Sequence, residues 1–523
     1  MPFPAGEAFS QGFEAIGYIG LEDRPGFKMA IHKSGERWYL YTAHFWCSGW
    51  SVVEITDPHH PRFVRYIEGP PNTWTLQVQI ADGKMITSME RIPPGWGGDV
   101  NGPYGEGFYI WDLADPENPQ RLGHYKTGGK GTHRNYYAGG NYVHTTALPD
   151  GYDGHIYQIV DIADPANPRE VSRWWRKGQW TAGGESGAPE HTLLHGGAYV
   201  VGDRAYLPYG GGGFVILDVS DFKAPKLISD LPFSPPFASR IAVHSAVPLQ
   251  KRPLVVVNSE AIAERCDEPL GFAGIVDIRV ETRPRLISLF PLPVPPKGYP
   301  YKNFCEQAGR FGPHNQHQPQ FQDVLYQSEN IVFLAYFNAG LRAFDISDER
   351  APKEIGYFLP PDPVKRLGPL PKTGLATQSE DVIVDARGNV FEGARSREYP
   401  MPPLRQTEFT ENMLGAAKRL GWHPFPGAAL INSQAYGGRA GCVFHGFCTR
   451  GGCHVLAKNG PHITTIPRAL ETKRLQVVTR AHVTRVEVDE KTARVSGVTY
   501  IKDGVEYFQP ADVVLLGSYT YEN

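Results

Sequence analysis

The segment QIVDIADPANPREVSRW, residues 158–174, reads as strand, turn, strand. Alternating β-branched and aromatic residues mark the two strands. The Asp-Pro pair between them makes a turn, because Asp hydrogen-bonds its own backbone and Pro fixes φ. Five more copies follow the same outline: VVEITDPHHPRFVRYI from 52, YIWDLADPENPQRLGHY from 109, VILDVSDFKAPKLISDL from 215, GIVDIRVETRPRLISLF from 274 and RAFDISDERAPKEIGYF from 342. The acidic residue at the matching position is Glu54, Asp112, Asp161, Asp218, Asp277 and Asp345, at spacings of 58, 49, 57, 59 and 68 residues.

Two further strand patterns precede each copy, such as GGAYVVGD and RAYLPYG before the copy at 215. Four strands per unit of this length define a β-propeller blade. Six units are complete, and TGLATQSEDVIVDARGNVF, residues 373–391, reads as the first two strands of a seventh. The N-terminal FEAIGYIG, residues 13–20, matches PKEIGYFL of the sixth unit. It is therefore expected to close the ring as a strand of the last blade, which removes an exposed sheet edge. The fold class is mainly β: a seven-bladed propeller over residues 1–393, with a last blade that is incomplete, followed by a partial α/β segment over 394–523.

The chain has 523 residues, 41% hydrophobic and 20% charged, with a formal net charge of −3. No basic field points to nucleic acid. No apolar run is long enough to span a membrane, and no signal peptide is visible at the start. Six cysteines in this length predict reduced thiols and a cytoplasmic protein. The expected partners are a small-molecule substrate and a possible protein partner.

Four strand openings carry a histidine: GTHRNYY with His133, LLHGGAY with His195, IAVHSAV with His244 and FGPHNQH with His314. In a propeller the first strand of each blade lines the central channel, so equivalent positions on successive blades share one ring. Four neutral imidazoles suit Fe or another transition metal better than Ca or Mg. The arrangement is similar to that of the carotenoid-cleaving dioxygenases, which hold iron with four channel histidines, although no sequence match accompanies it. The competing reading makes each histidine a strand cap. The second blade offers Trp74, and the seventh offers Gln378, Glu380 and Asp381. Glu380 is expected to be a plain strand-end charge. His44 is expected to pack against Trp46 and Trp50 away from the axis, and His59 and His60 to be solvated.

The repeats, IVDIADPANPRE above all, resemble the LVIVD-repeat family of propellers over about residues 10–391. That resemblance implies the architecture and says little about activity. From GARSREYPMPPL onward the character changes. FTENMLGAAKRLGW, residues 409–422, reads as an amphipathic helix. The stretch INSQAYGGRAGC, the Cys442/Cys448/Cys453 cluster followed by AK, then IPRAL, AHVTRVEVD and SGVTY, resembles the middle of glucose–methanol–choline (GMC) flavoprotein oxidoreductases. The likeness is to gluconate-dehydrogenase-like members, and it implies FAD as cofactor and a CH–OH donor as substrate. In that family AHVTRVEVD is a strand beside the FAD adenine, and Val483 matches the backbone contact. No G-x-G-x-x-G turn opens a βαβ unit upstream, so this chain is expected to be an incomplete flavoprotein, colourless and inactive as a dehydrogenase. Three functions follow: FAD-dependent oxidoreductase, metal-dependent propeller enzyme, and binding scaffold.

Overall fold

The computed structural model describes residues 8–233, 240–269, 271–363 and 371–392. In the C-terminal part it describes 431–435, 438–443, 455–458, 460–489 and 494–515, with isolated positions besides. The chain divides into two compact units, Met1–Tyr399 and Pro400–Asn523.

In the first unit, each repeat copy forms two adjacent antiparallel strands. They are the outer two of a four-stranded sheet in the first, fourth and fifth copies, the two ends of one nine-stranded sheet in the second and third, and in the sixth a pair with the N-terminal strand added beyond it. Ile156–Asp161 and Arg169–Trp174 complete a sheet begun by Gly129–Tyr136 and Tyr142–Pro149. The Asp of the Asp-Pro pair closes the turn as the sequence predicts, Ala166 N donating to Asp164 Oδ1 at 3.1 Å and Glu117 N to Asp115 Oδ1 at 3.0 Å. The periodic acidic residue at the strand end does the same: Ala163 N donates to Asp161 Oδ1 at 2.8 Å, Ser220 N to Asp218 Oδ1 at 2.9 Å and Ser347 N to Asp345 Oδ1 at 2.8 Å. Just past the turn the ladder slips by one residue, between Ile159 and Val160, Ile216 and Leu217, Ile275 and Val276, and Ala343 and Phe344. Such a bulge adds twist, which an outer strand needs to bend around the neighbouring sheet.

Apolar clusters fill the space between successive sheets. Tyr39, Tyr41 and Trp50 of the first sheet meet Val78, Met85 and Met89 of the second. Tyr206, Phe214 and Ile216 meet Val243, Val255 and Val257 one gap further on from Leu194 and Leu207, which pack against Tyr157 and Ile159. The two-stranded sheet Val382–Val384 with Val390–Glu392 is packed on one side against Leu341 and Phe333 and on the other, through Ile383, against Met29 and Ile31 of the first sheet. The circuit of sheets thus returns to its start, and the fold is β-rich and propeller-like.

The N-terminus departs from expectation. The strand there is Phe9–Gln11, and it pairs with the outer strand Lys353–Leu359 of the sixth sheet. Gly12, with φ +73, turns the chain after it. Residues 13–20 make no strand ladder among the described residues. They run beside the turn of the first sheet, where Gly17 backs onto the Pro58 carbonyl so closely that a Cβ would stand 2.0 Å from the oxygen. Gly123 makes the same contact with the Pro165 carbonyl between the second and third sheets.

The cysteine expectation is also corrected. Cys266 and Cys305, 39 residues apart, form a disulfide. It ties the loop after Glu260 to the segment that leads to Arg310 and His314.

In the second unit, the described residues form the short helix Thr465–Glu471 and a three-stranded antiparallel sheet of Ala481–Val488, Val495–Lys502 and Val505–Pro510. The three strands of that sheet pair with their sequence neighbours and run antiparallel, and an isolated bridge joins Ile431 to Lys458. The expected partial α/β organisation is not shown among the described residues. Of the helix expected over 409–422, only 410, 412, 413 and 416 are described, and all are helical. Cys448, residues 393–409 and 444–452 lie outside the described residues.

Candidate metal centre

Local backbone features aim the four histidines inward. In Gly129–Tyr136 the ladder slips between Thr132 and Arg134, so His133 sits on a bulge, a device that re-aims a side chain. His244 lies in a similar gap, between Ile241 and Ser245. His195 N donates to Pro208 O at 3.1 Å. The next residue is glycine by necessity: a Cβ on Gly196 would lie 1.7 Å from His244 O. That close approach brings the loop of His195 against the strand of His244, Ile241–Pro248. His314 N donates to Ala335 O at 2.9 Å.

The rings follow one another in an arc. Centroid distances are 4.6 Å from His133 to His195, 5.1 Å from His195 to His244 and 4.7 Å from His244 to His314. All but His195 are buried, and His195 is mostly so. Burial pushes the pKa of His133 down to about 4, against the pull of Glu90, and those of His195 and His244 well below their usual value. Neutral imidazoles are the form that binds metal.

Glu260, at the end of strand Leu254–Glu260, faces this arc. Its Oε2 lies 3.7 Å from His195 Nδ1 and 3.6 Å from His244 Nε2, and its Oε1 lies 3.6 Å from His314 Nε2. His195 Nδ1, His244 Nε2 and Glu260 Oε2 are buried and have no hydrogen-bond partner. Burying such atoms unpaired costs roughly 1–3 kcal/mol each, yet here three converge. Two donors about 2.1–2.2 Å from one ion are about 3.0–3.6 Å apart, from right-angled to tetrahedral geometry. The observed 3.6 and 3.7 Å lie at and just beyond the upper end of that range, so an ion would draw the donors in slightly.

Other groups hold these donors. Arg310 Nη1 donates to Glu260 Oε1 at 3.1 Å and its Nη2 to Glu380 Oε1 at 3.0 Å. Glu380 Oε2 stands 3.3 Å from His314 Nδ1. Glu90 receives His155 Nε2 at 2.7 Å and, closer still, His133 Nδ1. A carboxylate on one ring nitrogen fixes the tautomer and turns the other nitrogen to a metal. His244 Nδ1 is occupied by Ser245 Oγ at 2.8 Å, leaving Nε2 for the centre.

The structure therefore brings together His133, His195, His244 and His314. Glu380, expected as a strand-end charge, is fully buried in this network. Trp74 stands beside His133, ring centroids 6.3 Å apart. Gln378 turns to Arg310 N, and Asp381 pairs with Lys28. His44 lies apart, between Pro25 O and Ser51 Oγ, and its ring neighbour is Tyr66. Val483 is half-exposed on the first strand of the second unit's sheet. Glu90, His155, Glu260, Arg134 and Arg310 escaped the sequence reading. Glu260 ends its strand and Glu90 is next to last in its own, Lys84–Arg91, and comparing strand ends between blades is the signal that finds them.

Of the comparisons with known proteins, the repeat model, rather than any single relative, supports the propeller-like architecture. The LVIVD repeat model matches residues 156–174 and 198–231. A gluconate 2-dehydrogenase flavoprotein of Pantoea cypripedii is 30% identical over 142 residues. The match takes in 26% of this chain, which spans 23% of that protein's length. Among solved structures, a hypothetical selenium-binding protein from Sulfolobus tokodaii is 12% identical, with a TM-score of 0.43 over 71% of this chain and 82% of that one. A functionally unknown protein from Desulfotomaculum acetoxidans is 13% identical, with a TM-score of 0.41 over 64% and 85%.

Proposed function

We propose that the first unit is a metal-dependent enzyme with a single transition-metal ion held by His195, His244 and Glu260, flanked by His133 and His314. The observation that carries this reading is the convergence of the buried, unpartnered His195 Nδ1, His244 Nε2 and Glu260 Oε2. Two imidazoles and one carboxylate with further positions left open suit a non-haem Fe(II) centre. The ion would supply an open site for oxygen or substrate, and Glu90 and Glu380 would orient the flanking rings. The gluconate-dehydrogenase likeness supports an oxidoreductase relationship for the second unit, with FAD as the implied cofactor, although without the glycine turn this chain alone is expected to be inactive as a dehydrogenase.

Reconstitution with Fe(II) under anaerobic conditions, followed by metal analysis, tests the reading. About one equivalent per chain is expected for the parent protein, and well under a tenth of that for His244→Ala and Glu260→Ala. Retention of full metal by both variants, or none by the parent, removes the centre.

A further inference from the structure

Three buried cations surround the centre, and two of them have carboxylate partners. Arg310 spans Glu260 and Glu380, and Lys28 Nζ donates to Asp381 Oδ1 at 2.7 Å. Arg134 is different. It is 2% exposed, it makes no ion pair among the described residues, and its Nε is buried without a partner. Among the described residues its one hydrogen bond is a long one, from Nη1 to Leu76 O at 3.3 Å. Its Cζ lies 4.9 Å from the Phe27 ring, which in turn packs on His314 at 5.7 Å. Glu260, Asp381, Glu380 and Glu90 all act on its charge from beyond contact distance.

A buried guanidinium without a paired anion is expensive. The same bulge that aims His133 places Arg134 directly after it. The buried charges also leave room for a ligand of one particular charge. Glu90, Glu260, Glu380 and Asp381 outnumber Lys28, Arg134 and Arg310 by one. A divalent ion reverses that balance to one positive charge, and a single monoanion brings it to zero. A phosphate dianion would overshoot. Next to Arg134, the stacked rings of Phe27, Phe45 and Trp74 form an apolar wall, with centroids 5.0 and 5.2 Å apart.

We propose that Arg134 is the anchor for a monocarboxylate substrate whose apolar body lies along Phe27, Phe45 and Trp74. Its planar fork matches a carboxylate with two parallel hydrogen bonds. The inference rests on the metal reading for the word substrate, while the anchor itself is testable without metal.

The probe is benzoate, with inorganic phosphate as the contrasting anion. In the Co(II)-loaded protein, benzoate is expected to perturb the visible absorption bands in a saturable way, and Arg134→Gln to weaken that binding by on the order of tenfold or more. Arg134→Lys keeps the charge without the fork. It is expected to fall between the two, and it carries the test if the Gln variant does not fold. Equal benzoate affinity in the parent and in the variants that fold overturns the anchor, as does tighter binding of phosphate than of benzoate. If the parent takes up no metal, the proposed function fails, and thermal shifts of the metal-free protein decide the anchor alone. A benzoate-induced rise in Tm that Arg134→Gln or Arg134→Lys abolishes upholds it, and a rise that persists in the variants overturns it.

Discussion

Lys28 and Asp381 meet at 2.7 Å across 353 residues of sequence, both buried, and join the first sheet to the two-stranded seventh. The second oxygen of Asp381 accepts Met29 N at 2.9 Å, so one carboxylate ties side chain and backbone of the first sheet. Removing one member of a buried pair strands the other, at about 3–5 kcal/mol. Asp381→Ala is therefore expected to lower unfolding stability by about that amount. Replacing both, as Lys28→Met with Asp381→Leu, should recover much of the loss. Denaturant unfolding measures both, and a double variant as unstable as the single would show that the pair contributes more than charge compensation.

Gly17 provides an independent test of how the N-terminal segment is used. A Cβ there would stand 2.0 Å from the Pro58 carbonyl oxygen, and backbone cannot yield as a side-chain tip can. Gly17→Ala is expected to cost about 1–3 kcal/mol, as overpacking does. Gly123→Ala, whose Cβ would lie 1.7 Å from Pro165 O, is the reference for the same contact inside the repeat. A neutral Gly17→Ala beside a destabilising Gly123→Ala would mean that residues 13–20 do not brace the first sheet.

Much of this fold was legible because each repeat carries its own local instructions. In five of the six copies the Asp both ends a strand and accepts the turn's N–H, whereas Glu54 of the first accepts Thr56 Oγ1 instead, so the periodic acidic residue marks a blade without any tertiary knowledge. The histidine ring was legible for the same reason, since repeat phase translates into channel position. What stayed hidden depends on contacts between repeats. Glu90 and Glu260 lie next to and at strand ends in different blades, and nothing local tells such a carboxylate from a solvated one. The Cys266–Cys305 pairing was hidden because proximity across a 39-residue loop is a tertiary fact. Residues 13–20 matched a fourth strand in pattern, but a strand needs a partner as well as a pattern.

Two histidines away from the centre predict acid sensitivity. His44 and His144 are buried, and burial lowers their pKa to about 4 and about 3. In the unfolded chain each titrates near 6.5. Between these values the unfolded state binds the extra protons, so stability falls as pH drops from about 6.5 toward 4 and is fully present above that window. Each group should remove about 3 kcal/mol by pH 4. His144→Gln removes one titrating group, and its unfolding free energy should change less between pH 7 and pH 4 than that of the parent. An unchanged pH slope would place the titration elsewhere.

Glu90 separates orientation of a ring from direct ligation. Its carboxylate receives N–H groups from both His133 and His155 and is buried between them. Both oxygens of Glu90 are thus engaged as acceptors, whereas Oε2 of Glu260 is not. Glu90→Gln keeps the shape but weakens the acceptor, so His133 loses the partner that fixes its tautomer. Loss of such a partner from a ligating ring lowers metal affinity by about 10–100-fold, so for the flanking His133 a loss no greater than that is expected. Loss of a true ligand, as in His244→Ala, should lower it much further. Competition with a chromophoric chelator ranks the three proteins, and the visible spectrum of the Co(II) form reports the ligand set. The expected order is parent, then Glu90→Gln with an unaltered band pattern, then His244→Ala with an altered one. A changed band pattern in Glu90→Gln would instead make Glu90 a ligand and His155, whose Nδ1 is buried without a partner, part of a second ion's site.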